Sequence, residues 1–289
     1  MSSTAALHDV VSLHDALPAQ HGGAKALVLT ILGEFVLPDG GATWTASLVE
    51  AAGVLGIGEK NARQAVARIG DQGLIEADRH GRRVRWSLTD DGRRLLEDGA
   101  RRIYEFGTTT VDWNGEWLVA HCPVAESQRA VRNQLRTRLG FLGFGELSPN
   151  LLVSPHVDRE PALRDVLSEL GLTAESVVLR SATGTAGENI ELVARAWDLG
   201  GLEDGYRAFS RAHRRLQPVD ERAAFRSLVD LVHDWRRFPF TDPELPTELL
   251  PDGWAGSEAA QVFHERHADW SRAARRWFGE LETGGGDES

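Results

Sequence analysis

Residues 58–88 read GEKNARQAVARIGDQGLIEADRHGRRVRWSL, and two periodicities meet within them. Ala62, Ala65, Val66 and Ile69 recur at i, i+3, i+4 and i+7, one apolar face of an amphipathic helix. The opposite face carries Lys60, Asn61, Arg63, Gln64 and Arg68. Gly73 is placed to end the helix, since glycine enters the left-handed region without steric cost. Leu74–Glu76 and Val84–Leu88 then read as two short strands. Between them lies Arg79-His80-Gly81-Arg82-Arg83, a tight turn with no acidic residue. A helix with polar outward side chains, followed by a basic two-stranded ribbon, is the outline of a winged helix-turn-helix. It predicts a reader of double-stranded DNA.

Working outward, Lys25–Leu37 (KALVLTILGEFVL) is an apolar helix stopped by Pro38-Asp39-Gly40-Gly41. Thr45 or Ser47 is expected to cap the next helix, with Leu48, Val49, Ala52 and Leu55 on its buried side. Gly53 through Gly58 supplies a turn, and Gly58 serves as N-cap of the helix quoted first. Downstream, Thr89-Asp90-Asp91-Gly92 caps a helix over Arg93–Phe106, a linker from the reader to the body of the protein. Residues 1–23, with no Lys or Arg before the final glycines, are expected to form a tail.

The middle of the chain reads as β-α-β-α-β: Glu116–Val124, Glu126–Leu139, Leu151–Pro155, Pro161–Leu170 and Ser176–Arg180. That order predicts a small ferredoxin-like α/β domain. Gly143-Phe144-Gly145-Glu146 reads as a turn within it. A Gly, Thr and Ala shift at Gly184–Gly187 suggests a boundary, beyond which Ile190–Leu216, Glu221–Arg236 and Ser257–Leu281 read as helices. A Pro-rich crossing, Phe238–Pro251, separates the last two. The predicted class is therefore α+β: a winged helix-turn-helix with linker helix over 24–106, a ferredoxin-like domain over 107–184, a mostly helical effector and dimerisation domain over 185–282, and a tail over 283–289.

Charge is distributed to suit one local reader. Residues 58–104 hold eleven basic against eight acidic residues, whereas the whole chain carries a net charge of −11. A basic face on an acidic body focuses nucleic acid at one place and repels it elsewhere. It argues against a nucleoid-type coating protein. The single cysteine, Cys122, excludes an intrachain disulfide framework. No apolar run approaches the length of a membrane span, and the N-terminus lacks a basic region followed by an apolar core, so a cytoplasmic protein is expected.

Enzyme motifs are poor, and no catalytic residue, metal or cofactor is expected. His264 and His267 stand three apart rather than the four of zinc-protease helices. Gly56-Ile57-Gly58 follows a helix, not a strand, and is no dinucleotide fingerprint. His121 and Cys122 are strand neighbours that face opposite sides, which disfavours a catalytic pair.

Candidate DNA contacts are Lys60, Asn61, Arg63, Gln64 and Arg68 on the helix and Arg79, Arg82 and Arg83 on the ribbon. Asn and Gln suit adenine and Arg suits guanine in the major groove, while the ribbon arginines suit phosphate or minor-groove contact. Trp235, Arg236, Arg237 and Phe238 mix guanidinium and aromatic groups, a combination suited to an effector with phosphates and a ring. The same Arg pair would also serve to lock helices through carboxylates. Aromatic residues at helical spacing, such as Trp270 and Trp277, fit a core at least as well as a ligand pocket.

The chain also resembles a known family, the PaaX repressors of phenylacetate-degradation operons. The likeness rests on Ser47-Leu48-Val49, Asn61-Ala62-Arg63-Gln64-Ala65, Gly81-Arg82-Arg83 and Leu88-Thr89-Asp90-Asp91-Gly92-Arg93 in the N-terminal block. Trp113-Asn114-Gly115-Glu116-Trp117 and Gly143-Phe144-Gly145 carry it in the middle, with Trp197-Asp198-Leu199, Tyr206-Arg207-Ala208-Phe209 and His233-Asp234-Trp235-Arg236-Arg237-Phe238-Pro239-Phe240 towards the end. The resemblance implies a homodimeric regulator that leaves its operator on binding an aryl-CoA thioester, typically phenylacetyl-CoA. Gly58 stands where the family's helix often begins with Asn or Ser. His121-Cys122-Pro123 stands where relatives often place Asp, a residue on which related ferredoxin-like nucleases depend. The competing expectation from another class is an acyl-CoA hydrolase or thioesterase with a degenerate DNA domain.

Overall fold

The computed structural model describes residues 23–108, 112–182 and 188–287, with side chains as far as residue 284. Residues 1–22 of the expected tail and the expected boundary at Gly184–Gly187 lie outside the described residues.

Helix α1 (Ala24–Ile31) runs into a π-helical turn over Leu32–Val36. Its apolar run is buried nearly all round, through Val28, Ile31, Leu32 and Phe35. Gly40 and Gly41, both at positive φ, turn the chain into a three-residue strand β1 (Ala42–Trp44). Helices α2 (Thr45–Val54) and α3 (Glu59–Asp71) follow, α3 opening on Gly58. It closes with the Gly73 amide bonded to the Gly70 carbonyl and the Leu74 amide to that of Ile69. With Gly73 at φ 73°, that pattern is a Schellman motif.

Strands β2 (Ile75–His80) and β3 (Arg83–Leu88) then form a hairpin. They are longer than expected, because His80 and Arg83 pair directly and the turn shrinks to Gly81-Arg82. Strand β1 adds to the free edge of β3, with Ala42 opposite Ser87 and Trp44 opposite Arg85. Helix α4 (Asp90–Glu105) is capped by Thr89, whose hydroxyl oxygen accepts from the Gly92 amide at 3.0 Å and whose proton goes to the Gly73 carbonyl at 2.6 Å.

The middle segment contains β4 (Glu116–His121), α5 (Arg129–Phe141), β5 (Gly145–Ser148), β6 (Leu151–Ser154), α6 (Glu160–Glu169) and β7 (Val177–Ala182). All pairings are antiparallel and the sheet order is β5-β6-β4-β7. This is the βαββαβ ferredoxin-like arrangement, with one correction to the sequence reading. Gly145 and Glu146, expected to belong to a turn, open the edge strand Gly145–Ser148, which is too short to show a period of two. One sheet face packs Leu118, Ala120 and Leu152 on Leu135, Leu139 and Leu163 of the helices. The other places Trp117 and Val153 with Val193 and Leu249.

Five α-helices follow among the described residues: α7 (Asn189–Ala196), α8 (Leu199–His213), α9 (Glu221–Trp235), α10 (Phe238–Thr241) and α11 (Ala255–Asp287). The single helix expected over Ile190–Leu216 is thus two, broken at Trp197-Asp198. The Asp198 carboxylate accepts from the Gly201 amide at 3.0 Å and restarts the helix. Helix α11 continues to Asp287, past Thr283 where a tail was expected.

By packing, the described residues divide into two units that cut across sequence order. One holds Gly107–Ala208 and Phe238–Glu258; the other holds residues 23–106, Phe209–Arg237 and 259–287. The second unit therefore builds its core from both ends of the chain. Phe35 lies 4.9 Å from Phe225 and 5.2 Å from Phe278, and Trp235 stacks on Phe263 at 4.8 Å. The region expected as one C-terminal domain over 185–282 contributes helices to both units.

Candidate nucleic-acid interface

Helix α3 buries Ala62, Ala65, Val66 and Ile69 against α1 and α2 and leaves Lys60, Asn61, Arg63, Gln64 and Arg68 exposed. At about 100° of rotation per residue, Lys60, Gln64 and the exposed Ala67 form the stripe opposite the buried face. Arg63 lies on one flank of that stripe, and Asn61 and Arg68 on the other. Arg63 is held by Glu59 one turn back at 2.9 Å, and the Arg68 Nε donates to the Gln64 carbonyl at 3.3 Å. The Arg63–Glu59 pair is exposed on both sides, so it orients the guanidinium more than it stabilises the helix.

The hairpin is braced against this helix. A Cβ on Gly70 would come within 2.9 Å of the Trp86 ring, so the indole lies flush on the end of α3. The Trp86 Nε1 donates to the Thr45 hydroxyl at 2.9 Å, and that hydroxyl donates to the Val84 carbonyl at 3.1 Å. Thr45 is therefore a brace between α2 and the hairpin rather than a helix cap. Ser47 donates to the Leu281 carbonyl at 3.2 Å and does not cap either.

Of the ribbon residues, Arg79 and Arg82 are exposed, Arg82 standing in the two-residue tip beside Gly81 at φ 63°. Arg83 behaves differently: its guanidinium lies 3.9 Å over the Trp44 ring, and that of Arg85 lies 5.7 Å from it. His80 meets the same indole edge-on at 5.5 Å and its Nε2 lies 3.0 Å from Asp78. The structure thus divides the basic turn into free tips and a cation–π shelf. Trp44 and Arg85 were missed by sequence reasoning. The alternation in Arg83-Val84-Arg85-Trp86 carries the signal for Arg85, since it places the two arginines on one strand face.

The four effector candidates do not share one surface. Trp235 is wholly buried, its Nε1 donating to the Ile103 carbonyl at 3.1 Å. Phe238 is core in the other unit, stacked on Tyr206 at 4.2 Å. Arg237 is exposed. Arg236 alone is both buried, at 6% exposure, and part of a cavity wall. Burial pushes its pKa down to about 10.

Of the other chemical candidates, His267 is held by structural partners. His267 Nε2 lies 3.0 Å from Glu34, whose carboxylate also takes the Tyr104 hydroxyl. Burial lifts the Cys122 thiol pKa. Among the described residues there is no cluster of three or more metal-ligating side chains, and no helix is long and apolar enough to cross a membrane.

A polar, exposed helix braced to a basic-tipped hairpin, attached to a ferredoxin-like domain, defines a modular protein with a block shaped for nucleic acid. Comparison with known families then matches the whole architecture in order: a PaaX-like protein model over residues 23–92, the PaaX central Cas2-like domain over 110–193, and the PaaX-like C-terminal domain over 197–280. The chain belongs to the PaaX family. It is 30% identical over 262 residues to the transcriptional repressor PaaX of Escherichia coli K12, covering 86% of this chain and 81% of that protein. An uncharacterized protein from Mycobacterium tuberculosis shares the fold with a TM-score of 0.56 at 21% identity, over 81% of this chain and 90% of that one.

Proposed function

We propose that this protein is a DNA-binding transcriptional repressor of an aromatic-acid catabolic operon of the phenylacetate type. Family membership and the repressor relative support it. The single observation that carries it is the face of α3: an exposed stripe of Lys60 and Gln64 flanked by Arg63, Asn61 and Arg68, on a helix braced at Gly70 to the hairpin that carries Arg82 at its tip. Phosphate contacts from Arg79 and Arg82 would fix the docking position, and base-edge contacts from the helix would select sequence. Acting as a homodimer, two such readers would match a palindromic operator with half-sites one or more helical turns apart. Release would follow from an aryl-CoA thioester favouring a reader spacing that no longer fits the operator, a population shift. The protein performs no catalysis in this reading.

The test is a gel shift on the promoter region next to the protein's own gene, with and without a panel of acyl-CoA thioesters. Specific retardation reversed by an aryl-CoA is expected. Retardation no stronger than with random DNA would remove the reading, and turnover of the thioester in the same tubes would replace it with that of an enzyme.

A further inference from the structure

Behind α3, within the same unit, α1, α4 and α9 leave a cavity of ≈60 Å3. Its walls are apolar: Leu29 from α1, Leu96, Ala100 and Ile103 from α4, and Val232 from α9. Arg236 breaks the pattern. Its backbone is fixed at the end of α9, the amide donating to the Val232 carbonyl at 2.9 Å. The residue is 6% exposed, and its Nε and Nη1 are buried without a hydrogen-bond acceptor.

The other charge on the cavity wall is satisfied. Glu34 is held by the Tyr104 hydroxyl and by His267, so its oxygens are committed away from Arg236. A buried guanidinium with idle donors is strongly unfavourable, and it stays cationic at neutral pH. A partner that matches its charge and planar donor set is a carboxylate, whose oxygens accept from guanidinium N–H groups. We propose that this cavity binds a small organic carboxylate, its oxygens on Arg236 and its short apolar body against Leu29, Leu96 and Ile103. The cavity is far too small for a coenzyme A moiety, and a thioester carbonyl lacks the charge that Arg236 calls for. The ligand is therefore a free acid, distinct in chemistry from a CoA thioester.

The position gives such a ligand a route to the reader. Helix α1 forms one wall of the cavity and packs directly against α3. Helix α4 forms another, and its first turn abuts Leu74 at the start of the hairpin. This consequence for DNA rests on the repressor reading; the binding itself does not.

The test is calorimetry and thermal unfolding of the full chain. The probes are sodium acetate, propionate, benzoate and phenylacetate at constant ionic strength, each against its primary amide, with chloride as control. At least one carboxylate is expected to bind saturably and raise Tm, with its amide weaker by about tenfold or more. Arg236→Met should abolish the preference for the acid. Ala100→Leu, which fills the cavity and leaves Arg236 in place, should weaken binding as much, and it decides the matter if Arg236→Met does not fold. Saturable binding by no carboxylate, equal binding of acid and amide, or unchanged affinity in Ala100→Leu would overturn the proposal. Because no DNA is present, failure of the operator gel shift would leave these results standing, and the reverse holds as well.

Discussion

The hydroxyl of Thr43 donates to Oε1 of Glu282 at 2.5 Å, joining residues 239 positions apart. The same oxygen lies 3.4 Å from the amide of Trp44, the residue that opens α2. A carboxylate from the last helix thus occupies the positive end of α2, where a Ser or Thr side chain would usually cap. Ser47 donating to the Leu281 carbonyl completes the clasp. Glu282→Ala should cost about 1 kcal/mol of stability, measured by urea unfolding, and Glu282→Gln should cost less because an acceptor remains. Equal stability of Glu282→Ala and the parent would show that the clasp contributes nothing.

Gly92 is a second point of close approach. A Cβ there would stand 1.9 Å from the Leu74 carbonyl oxygen, and backbone, unlike a side-chain tip, cannot swing aside. Gly92→Ala must push α4 off the hairpin and should destabilise by about 3 kcal/mol, the upper part of the overpacking range. A chemical denaturation midpoint close to that of the parent would contradict this.

Arg82 and Arg83 are neighbours with different tasks. Arg82 is exposed at the hairpin tip, while Arg83 covers the Trp44 indole. Arg82→Ala is expected to weaken binding to specific and random DNA alike and to lower the salt slope of affinity by about one. It should leave Tm unchanged, whereas Arg83→Ala should lower Tm through loss of the stacked contact. A salt slope unaffected by Arg82→Ala removes the hairpin from the DNA.

On α3 the rotation of the helix separates Gln64, on the outward stripe, from Arg63, tied sideways to Glu59. Gln64→Ala should relax discrimination at one operator base pair by about 1–3 kcal/mol while leaving affinity for random DNA nearly intact. Selection from a randomised half-site would show this as one position losing its preference. An unchanged preference would reassign the reading stripe.

Helix α3 and its ending are legible in the sequence because apolar spacing and Gly73 both act locally. The short strands are not. Ala42–Trp44 spans three residues and is a strand only because the edge of β3 is free to pair with it. The sequence reading likewise places Gly143–Glu146 in a turn, since the pairing of Gly145–Ser148 with β6 is a tertiary choice. Trp235 and Phe238 show the limit for sites: three positions apart, they enter the cores of different units, so adjacency along the chain is not adjacency at a surface. Glu282 is the extreme case. Nothing near it in sequence announces that it caps a helix at the other end of the chain.

His156 extends the same logic to pH. It is 3% exposed, its Nε2 lies 2.8 Å from the Pro243 carbonyl, and so that nitrogen carries the proton of the neutral ring. Burial holds its pKa below the usual 6.5, with Arg159 acting in the same direction and the Pro243 carbonyl, Glu244 and Asp158 opposing. Because the folded state resists protonation, the unfolded chain binds more protons below about pH 6.5. Stability is therefore complete above that pH and falls as pH drops towards the depressed folded value. His264, also lowered by burial, adds to the slope in the same direction. Tm should decline between pH 7.5 and 5.5, and His156→Gln, which keeps a donor for the Pro243 carbonyl but cannot titrate, should make the decline shallower without abolishing it. An equally steep decline in the variant would place the acid sensitivity elsewhere.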